Sequence, residues 1–316
     1  MPSFTCLRWS GSRGALLRLG VPARLRSTNV NLDRLQLNRR TFLGLSGTTL
    51  AAAACGGSTA SVATETAATR WFSETTVIAN AQPQRTIWGL SDEQGNLGDQ
   101  APDETGVKVF DSAGTQIHSS TAAAHRDGVA LPYYPVMVEF PTPGSYEFAF
   151  TTSVGAYVGF TTAIAPADNQ LILVGDHFPS VVTPTLSNAA GVDPICTRNP
   201  VCPFHDHSID QVLGDGTPIV LIISTPAFCG TTWMCGPVLE ILIEHSADLA
   251  DRAHVIHAEV YSAPRPDDLG ALAPILEVTR ATYEPFLFTI DGDGEVRHRL
   301  DHIWDRAELS SALATL

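Results

Sequence analysis

Cys229 and Cys235 lie one loop apart between an apolar, β-branched run and an amphipathic helical pattern, and no other stretch constrains the fold as much. Residues 218–224 (Pro-Ile-Val-Leu-Ile-Ile-Ser) are long enough for a buried strand and too short for a helix. Gly236 and Pro237 follow Cys235, and proline suits the first helical turn, where its missing N–H has no partner to lose. Val238, Ile241, Leu242 and Leu249 then recur at helical spacing, so a long helix is expected from about Cys235 onward. Cys235 is therefore expected at or beside a helix N-cap. There the unsatisfied amide hydrogens and the helix dipole favour a thiolate, the form that attacks a disulfide.

The rest of the C-terminal third extends this pattern. Ser208 and Gln211 have capping-box spacing and open a short helix expected to stop at Gly214 and Gly216. Residues 254–261 read as a second buried strand, and residues 283–290 as a strand beginning at Pro285. The Asp-Gly-Asp-Gly turn at 291–294 leads into a strand at 295–300. A closing helix at 307–316 has Leu309, Ala312 and Leu313 inward.

The order strand, Cys-Gly-Pro, helix, with these flanking elements, resembles the thioredoxin superfamily over residues 205–316. The resemblance implies an α/β thioredoxin-like C-terminal domain, thiol–disulfide exchange, and a cis-proline facing the active cysteine at Pro285. Two features depart from the family pattern. The position three residues beyond the nucleophile is Val238, so the only nearby partner for Cys235 is Cys229, in a C-x5-C rather than a C-x2-C dithiol. The family also buries an aspartate in the strand before the active site, and Ile223 stands there in this chain. Proton handling must differ, and Glu240 and Glu284 are the carboxylates that would replace it, against a reading of both as solvated surface groups. The expected roles are Cys235 attacking and Cys229 resolving, with the reverse open, and with a structural staple or a metal pair as the other readings of the two thiols. Trp233, inside the loop, is a shield for the disulfide, a flat surface for a substrate peptide, or an ordinary half-buried loop aromatic.

A second C-x5-C pair, Cys196 and Cys202, runs into His205, Asp206 and His207. No helix begins after Cys202, and the segment is a Pro/Asp/Asn-rich loop, so a structural disulfide is expected. The competing readings are an electron relay to the 229/235 pair and a copper or zinc site drawing on Cys196, Cys202, His205 and His207. His254 and His257, three apart on one expected strand, point to opposite faces and are not expected to ligate together. No metal site and no cofactor is assigned.

The N-terminus indicates the compartment. Arg39 and Arg40 precede an uncharged run at 44–54 that ends in Ala-Ala-Ala-Cys55, matching a twin-arginine export signal with a lipobox. The run falls short of the ~20 apolar residues that span a bilayer, so diacylglyceryl modification of Cys55 is expected to anchor the protein to the extracytoplasmic face of the membrane. Val30 is an alternative start that would give a normal signal. Residues 1–54 hold eight arginines and one aspartate. The chain beyond them keeps 11 basic and 32 acidic residues, a net charge of −21. Such a surface is a poor partner for nucleic acid.

Residues 55–69 are expected to form a flexible tether, with only Glu65 charged from 58 to 68. Residues 70–167 carry short alternating runs at 76–80, 86–90, 107–110, 136–140, 146–150 and 157–163, separated by Gly, Pro, Asp and Asn clusters. This reads as an all-β, immunoglobulin-like sandwich, with Tyr146, Phe148 and Phe150 on its core face. Residues 168–204 form a linker that carries the second cysteine pair. The expected protein is a membrane-anchored thiol–disulfide oxidoreductase acting on exported proteins or a membrane redox partner. The alternatives are a Sco-like copper-binding metallochaperone and a non-enzymatic cell-envelope interaction protein whose cysteine pairs are staples.

Overall fold

The computed structural model describes residues 66–72, 76–80, 82–227, 234–265 and 268–316. The expected export signal with Arg39 and Arg40, the expected lipid acceptor Cys55, and Cys229 and Trp233 all lie outside the described residues. No helix among the described residues is long and apolar enough to cross a membrane.

An all-β domain comes first. Its described strands are β1 (Ala67–Arg70), β2 (Val77–Ile78), β3 (Gln84–Asp92), β4 (Gly95–Asn96), β5 (Glu104–Phe110), β6 (Gln116–Ala123), β7 (Tyr134–Val138), β8 (Gly144–Thr151) and β9 (Ala156–Ile164). They hydrogen-bond in the order β4-β3-β1-β9-β8-β5-β6, with β7 added to β3 and β2 to β9. Neighbours are antiparallel except that β1 and β2 run parallel to β9. Along β8 the alternation of buried and partly exposed residues sends Tyr146, Phe148 and Phe150 into the core, as their spacing predicts. Trp88 packs there at 4.4 Å from Phe148, and its indole N–H is satisfied by Thr86 Oγ1 at 2.9 Å.

Three strands were not legible as apolar runs. β6 is an edge strand of Gln, His, Ser and Thr whose only fully buried residue is Ala122, so it lacks the alternation that marks a half-buried strand. β1 and β4 are short and built of small or polar residues.

The C-terminal part is built on a four-stranded sheet. Its elements are α1 (Ile209–Val212), β10 (Ile219–Ile223), α2 (Cys235–Glu244), α3 (Ser246–Leu249), β11 (His254–Ala258), α4 (Pro274–Thr279), β12 (Phe286–Ile290), β13 (Val296–Asp301) and α5 (Arg306–Leu313). Strand order is β11-β10-β12-β13, with β10 and β11 parallel and the other pairs antiparallel. All five residues of β10 are buried because the strand is covered on both faces. Ile219, Leu221 and Ile223 pack with Ile209, Val212, Ile275 and Leu276 of α1 and α4. Val220 and Ile222 pack on the other face with Val238, Leu239 and Leu242 of α2 and Leu309 and Leu313 of α5. That double burial explains why the sequence reads as an unbroken apolar run.

Local differences from the sequence reading have identifiable causes. The long helix is interrupted at His245, which ends α2 and precedes α3. The capping box at Ser208 is not made, because Ser208 Oγ accepts from Thr183 N at 2.8 Å and bonds the Asp210 carboxylate instead. α4, opened by Pro274 at its first turn, carried no signal stronger than that proline.

The two sheets belong to one compact unit. Arg85 of β3 reaches α5, where its Nη2 bonds Glu308 Oε2 at 2.7 Å, and its Nη1 bonds the Asp301 carbonyl at 3.0 Å. Tyr133 donates to the same Glu308 carboxylate and accepts from Asp305 N, while Ile87, Tyr133 and Ile303 form a small apolar cluster at the junction. Asp305 caps α5 by accepting from Glu308 N at 2.9 Å and also faces His125 Nδ1 at 2.8 Å.

Candidate functional site

Two centres meet at the C-terminal end of β10. The first is organised around Cys235, the first residue of α2, as the Gly-Pro signal predicts. Cys235 is disulfide-bonded and has no solvent-exposed surface. The carboxylate Oε2 of Glu284 lies 3.7 Å from its sulfur and accepts from Thr225 N. Burial pushes the Glu284 carboxyl up to about 8, against the Thr225 N–H, which acts the other way, and with Glu259 adding to the rise. Glu284 therefore holds its proton at neutral pH. Pro285 follows at the head of β12, and the Glu284–Pro285 peptide is cis.

The two carboxylates weighed from sequence are thus separated. Glu240, on the solvent side of α2, pairs with Arg198 through its Oε1 at 2.6 Å. Glu284, one residue before a buried strand, faces the sulfur. The choice between them follows from the packing of β12 against β10, which local spacing does not show.

The second centre overturns the expected disulfide. Cys196 and Cys202 are both free and both buried. Their sulfurs converge on two imidazoles: Cys202 Sγ lies 3.3 Å from His205 Nε2 and 3.3 Å from His257 Nδ1, and Cys196 Sγ lies 3.6 Å from His257 Nδ1. These four groups, each offering one ligand atom, lie within 4.8 Å of one another, so they could hold a metal ion where the sequence reading assigned none.

The membership also differs from the histidine cluster weighed from sequence. His207 is turned away and meets His254 edge to face, with ring centroids at 4.6 Å. The fourth member is His257, which strand alternation places on the opposite side of β11 from His254. His254 bonds Asp215 at 2.9 Å on its own side. The chain around His205 is brought to β11 by a backbone bond from His257 N to Phe204 O at 2.9 Å. Nothing in the local sequence links residue 257 to residues 196–205, which is why sequence reasoning missed it.

Electrostatics in this centre follow from the burial of thiols against imidazoles. The Cys196 thiol is pulled below the ordinary cysteine range, first by the hydrogen bond from Cys202, with His205 and His257 also contributing and burial opposing. Cys202, which shares its proton with Cys196, is pushed up by that bond and by burial. Burial works against an imidazolium at His257, but the Cys196 sulfur, Glu259 and the Ser224 carbonyl outweigh it and raise its pKa. Glu259, two residues along the chain, is raised to about 7 mainly by burial, and its Oε1 accepts from Thr197 N at 2.5 Å.

The two centres share their supports. Ser224 accepts from His257 and the next residue, Thr225, donates to Glu284. Thr197, beside Cys196, accepts through its hydroxyl from Ala227 N, a few residues beyond β10.

No family model matches the chain, and no curated protein matches it. Among solved structures, the chain is similar to CopC from Methylosinus trichosporium OB3b. The likeness has 13% identity and a TM-score of 0.21, and covers 34% of this chain and 100% of that one. A likeness of this size carries no argument about either centre.

Proposed function

We propose that this protein is an extracytoplasmic thiol–disulfide oxidoreductase, exported through the Arg39/Arg40 signal, lipid-anchored at Cys55, and acting on exported proteins or a membrane redox partner. In this reading the C-terminal domain is thioredoxin-like, and the all-β domain is an immunoglobulin-like spacer or docking unit. One observation carries the proposal: a disulfide-bonded cysteine opens α2 with a protonated, burial-shifted carboxyl 3.7 Å from its sulfur, next to Pro285.

We take the partner of Cys235 to be Cys229. The burial of Cys235 favours the reverse of the roles expected from sequence, because a sulfur with no exposed surface cannot reach a substrate protein. A substrate thiolate attacks Cys229 Sγ, the Cys229–Cys235 bond breaks, and its electron pair leaves on Cys235, which takes the Glu284 proton. A second substrate thiolate then attacks the mixed disulfide and releases Cys229 as a thiolate. The substrate dithiol has become a disulfide, and the protein disulfide a dithiol. The reverse sequence reduces a substrate, with Glu284 accepting the Cys235 proton, and the relative potentials set the direction. Glu284 occupies the role that a buried aspartate has in the family this domain resembles.

The test is redox titration of the 229/235 pair against glutathione, together with trapping. Cys235→Ser is expected to accumulate mixed disulfides on Cys229, and Cys229→Ser to accumulate none. A potential below about −300 mV with no thiol titrating under about pH 8 would identify the pair as a staple and overturn the proposal. Stoichiometric Cu(I) binding lost in Cys229→Ser, without exchange activity, would replace it with copper delivery.

A further inference from the structure

We infer that Cys196, Cys202, His205 and His257 form a closed four-ligand site for a d10 metal ion, and that Zn2+ is the ion it fits. This site is separate from the Cys235 centre and does not depend on the reaction proposed for it.

The spacing matches a coordination polyhedron. A tetrahedral zinc with bonds of about 2.0–2.3 Å has ligand-to-ligand edges of about 3.3–3.8 Å. Three of the four sulfur–nitrogen separations are 3.3, 3.3 and 3.6 Å, and all four ligand atoms fall within 4.8 Å of one another. The tautomer is also set. His257 Nε2 lies 3.0 Å from the Ser224 carbonyl, which can only accept, so Nε2 carries the proton and Nδ1, which faces both sulfurs, is the nitrogen left to bind a metal. His205 is met only through Nε2, which faces Cys202 Sγ at 3.3 Å, while its buried Nδ1 has no partner among the described residues. A bond from Nε2 to a metal fixes that ring.

Charge selects the ion. Two thiolates and two neutral imidazoles neutralise Zn2+, whereas Cu+ leaves a net negative charge in a buried site that already has Glu259 beside it. All four ligands come from protein and all are buried, so no position remains for substrate or water, which is the arrangement of a structural site. The ion would join the lead-in loop to β11. Through Thr197 on Ala227 and Arg198 on Glu240, it would also steady the end of the segment that follows β10 and the helix that opens at Cys235. Binding releases one proton per thiol to the buffer.

The experiment is titration of the reduced, full exported chain with Zn2+, and with Co2+ as a spectroscopic substitute. One equivalent is expected, with the visible absorption of tetrahedral Co2+ and its sulfur charge-transfer bands. Cys235→Ser should retain both. Cys202→Ser should lose at least half of the charge-transfer intensity. His257→Gln, which keeps both sulfurs, should weaken Zn2+ by more than the roughly 10–100-fold lost with a supporting group. A Cys196–Cys202 disulfide in protein isolated without reductant would overturn the inference. So would binding lost in Cys235→Ser, or Cu+ bound by the two sulfurs alone with His257→Gln unaffected.

Discussion

Glu284 holds its Oε2 3.7 Å from the sulfur of Cys235. Cys235 is out of water and Glu284 is half-buried beside it, and the carboxyl is raised to about 8, mainly by burial. If Glu284 exchanges a proton with the departing or arriving Cys235 thiolate, Glu284→Gln should slow opening and closing of the disulfide about 100-fold, the lower end of general acid–base effects. The wild-type opening rate should fall above pH 8 as the donor ionises, and the variant should lose that fall. Stopped-flow reaction with dithiothreitol across pH 6–9 measures both, and an unchanged pH profile in Glu284→Gln would remove Glu284 from the mechanism.

The same carboxyl links stability to pH. Its folded pKa lies above its unfolded value, so the folded state binds a proton that the unfolded chain has released. The stability this gives is complete below the ordinary carboxylate range and is lost as pH rises through about 8. Urea unfolding is expected to show wild type losing up to about 1.4 kcal/mol per pH unit between about 5 and 8, relative to Glu284→Gln. Equal slopes in the two proteins would contradict the buried, protonated state.

Arg85 bridges the two sheets, with a side chain only 9% exposed and Glu308 at its end. Arg85→Ala leaves the Glu308 carboxylate and the Tyr133 hydroxyl buried at the junction without their cation. The expected cost is about 3–5 kcal/mol, read from the shift in urea midpoint. Replacing both partners, Arg85→Met with Glu308→Leu, should recover most of it, because the penalty comes from the stranded charge.

Gly159 lies where β1 crosses β9. A Cβ added there would meet the Ala68 carbonyl oxygen at 2.2 Å and the Trp88 ring at 2.4 Å. Backbone and a buried indole cannot move aside cheaply, so Gly159→Ala should destabilise the all-β domain by about 1–3 kcal/mol. Near-ultraviolet circular dichroism from Trp88 should change with it.

Apolar patterning made the larger elements legible. The doubly buried β10, the inward aromatics of β8, and the inward Leu309, Ala312 and Leu313 of α5 each advertise themselves through the period of their residues. Elements held by neighbours rather than by their own pattern did not. The polar edge strand β6 exists because β5 offers it a ladder of backbone partners, and a backbone hydrogen bond leaves no mark on side-chain hydropathy. The Cys235 centre was half legible, since a Gly-Pro after a cysteine signals a helix start. The choice of Glu284 over Glu240 needed the packing of β12 against β10.

By itself the sequence determined where thiols would sit on strand ends and helix starts, because local periodicity and turn chemistry act within a few residues of each other. Only the tertiary structure decided which groups meet. It separated Cys196 and Cys202 from the disulfide that their spacing suggested and set them on His257, more than fifty residues away, because the lead-in loop hydrogen-bonds to β11 at Phe204. Contacts of that kind depend on how sheets and loops fold back on one another, and no stretch of neighbouring residues encodes them.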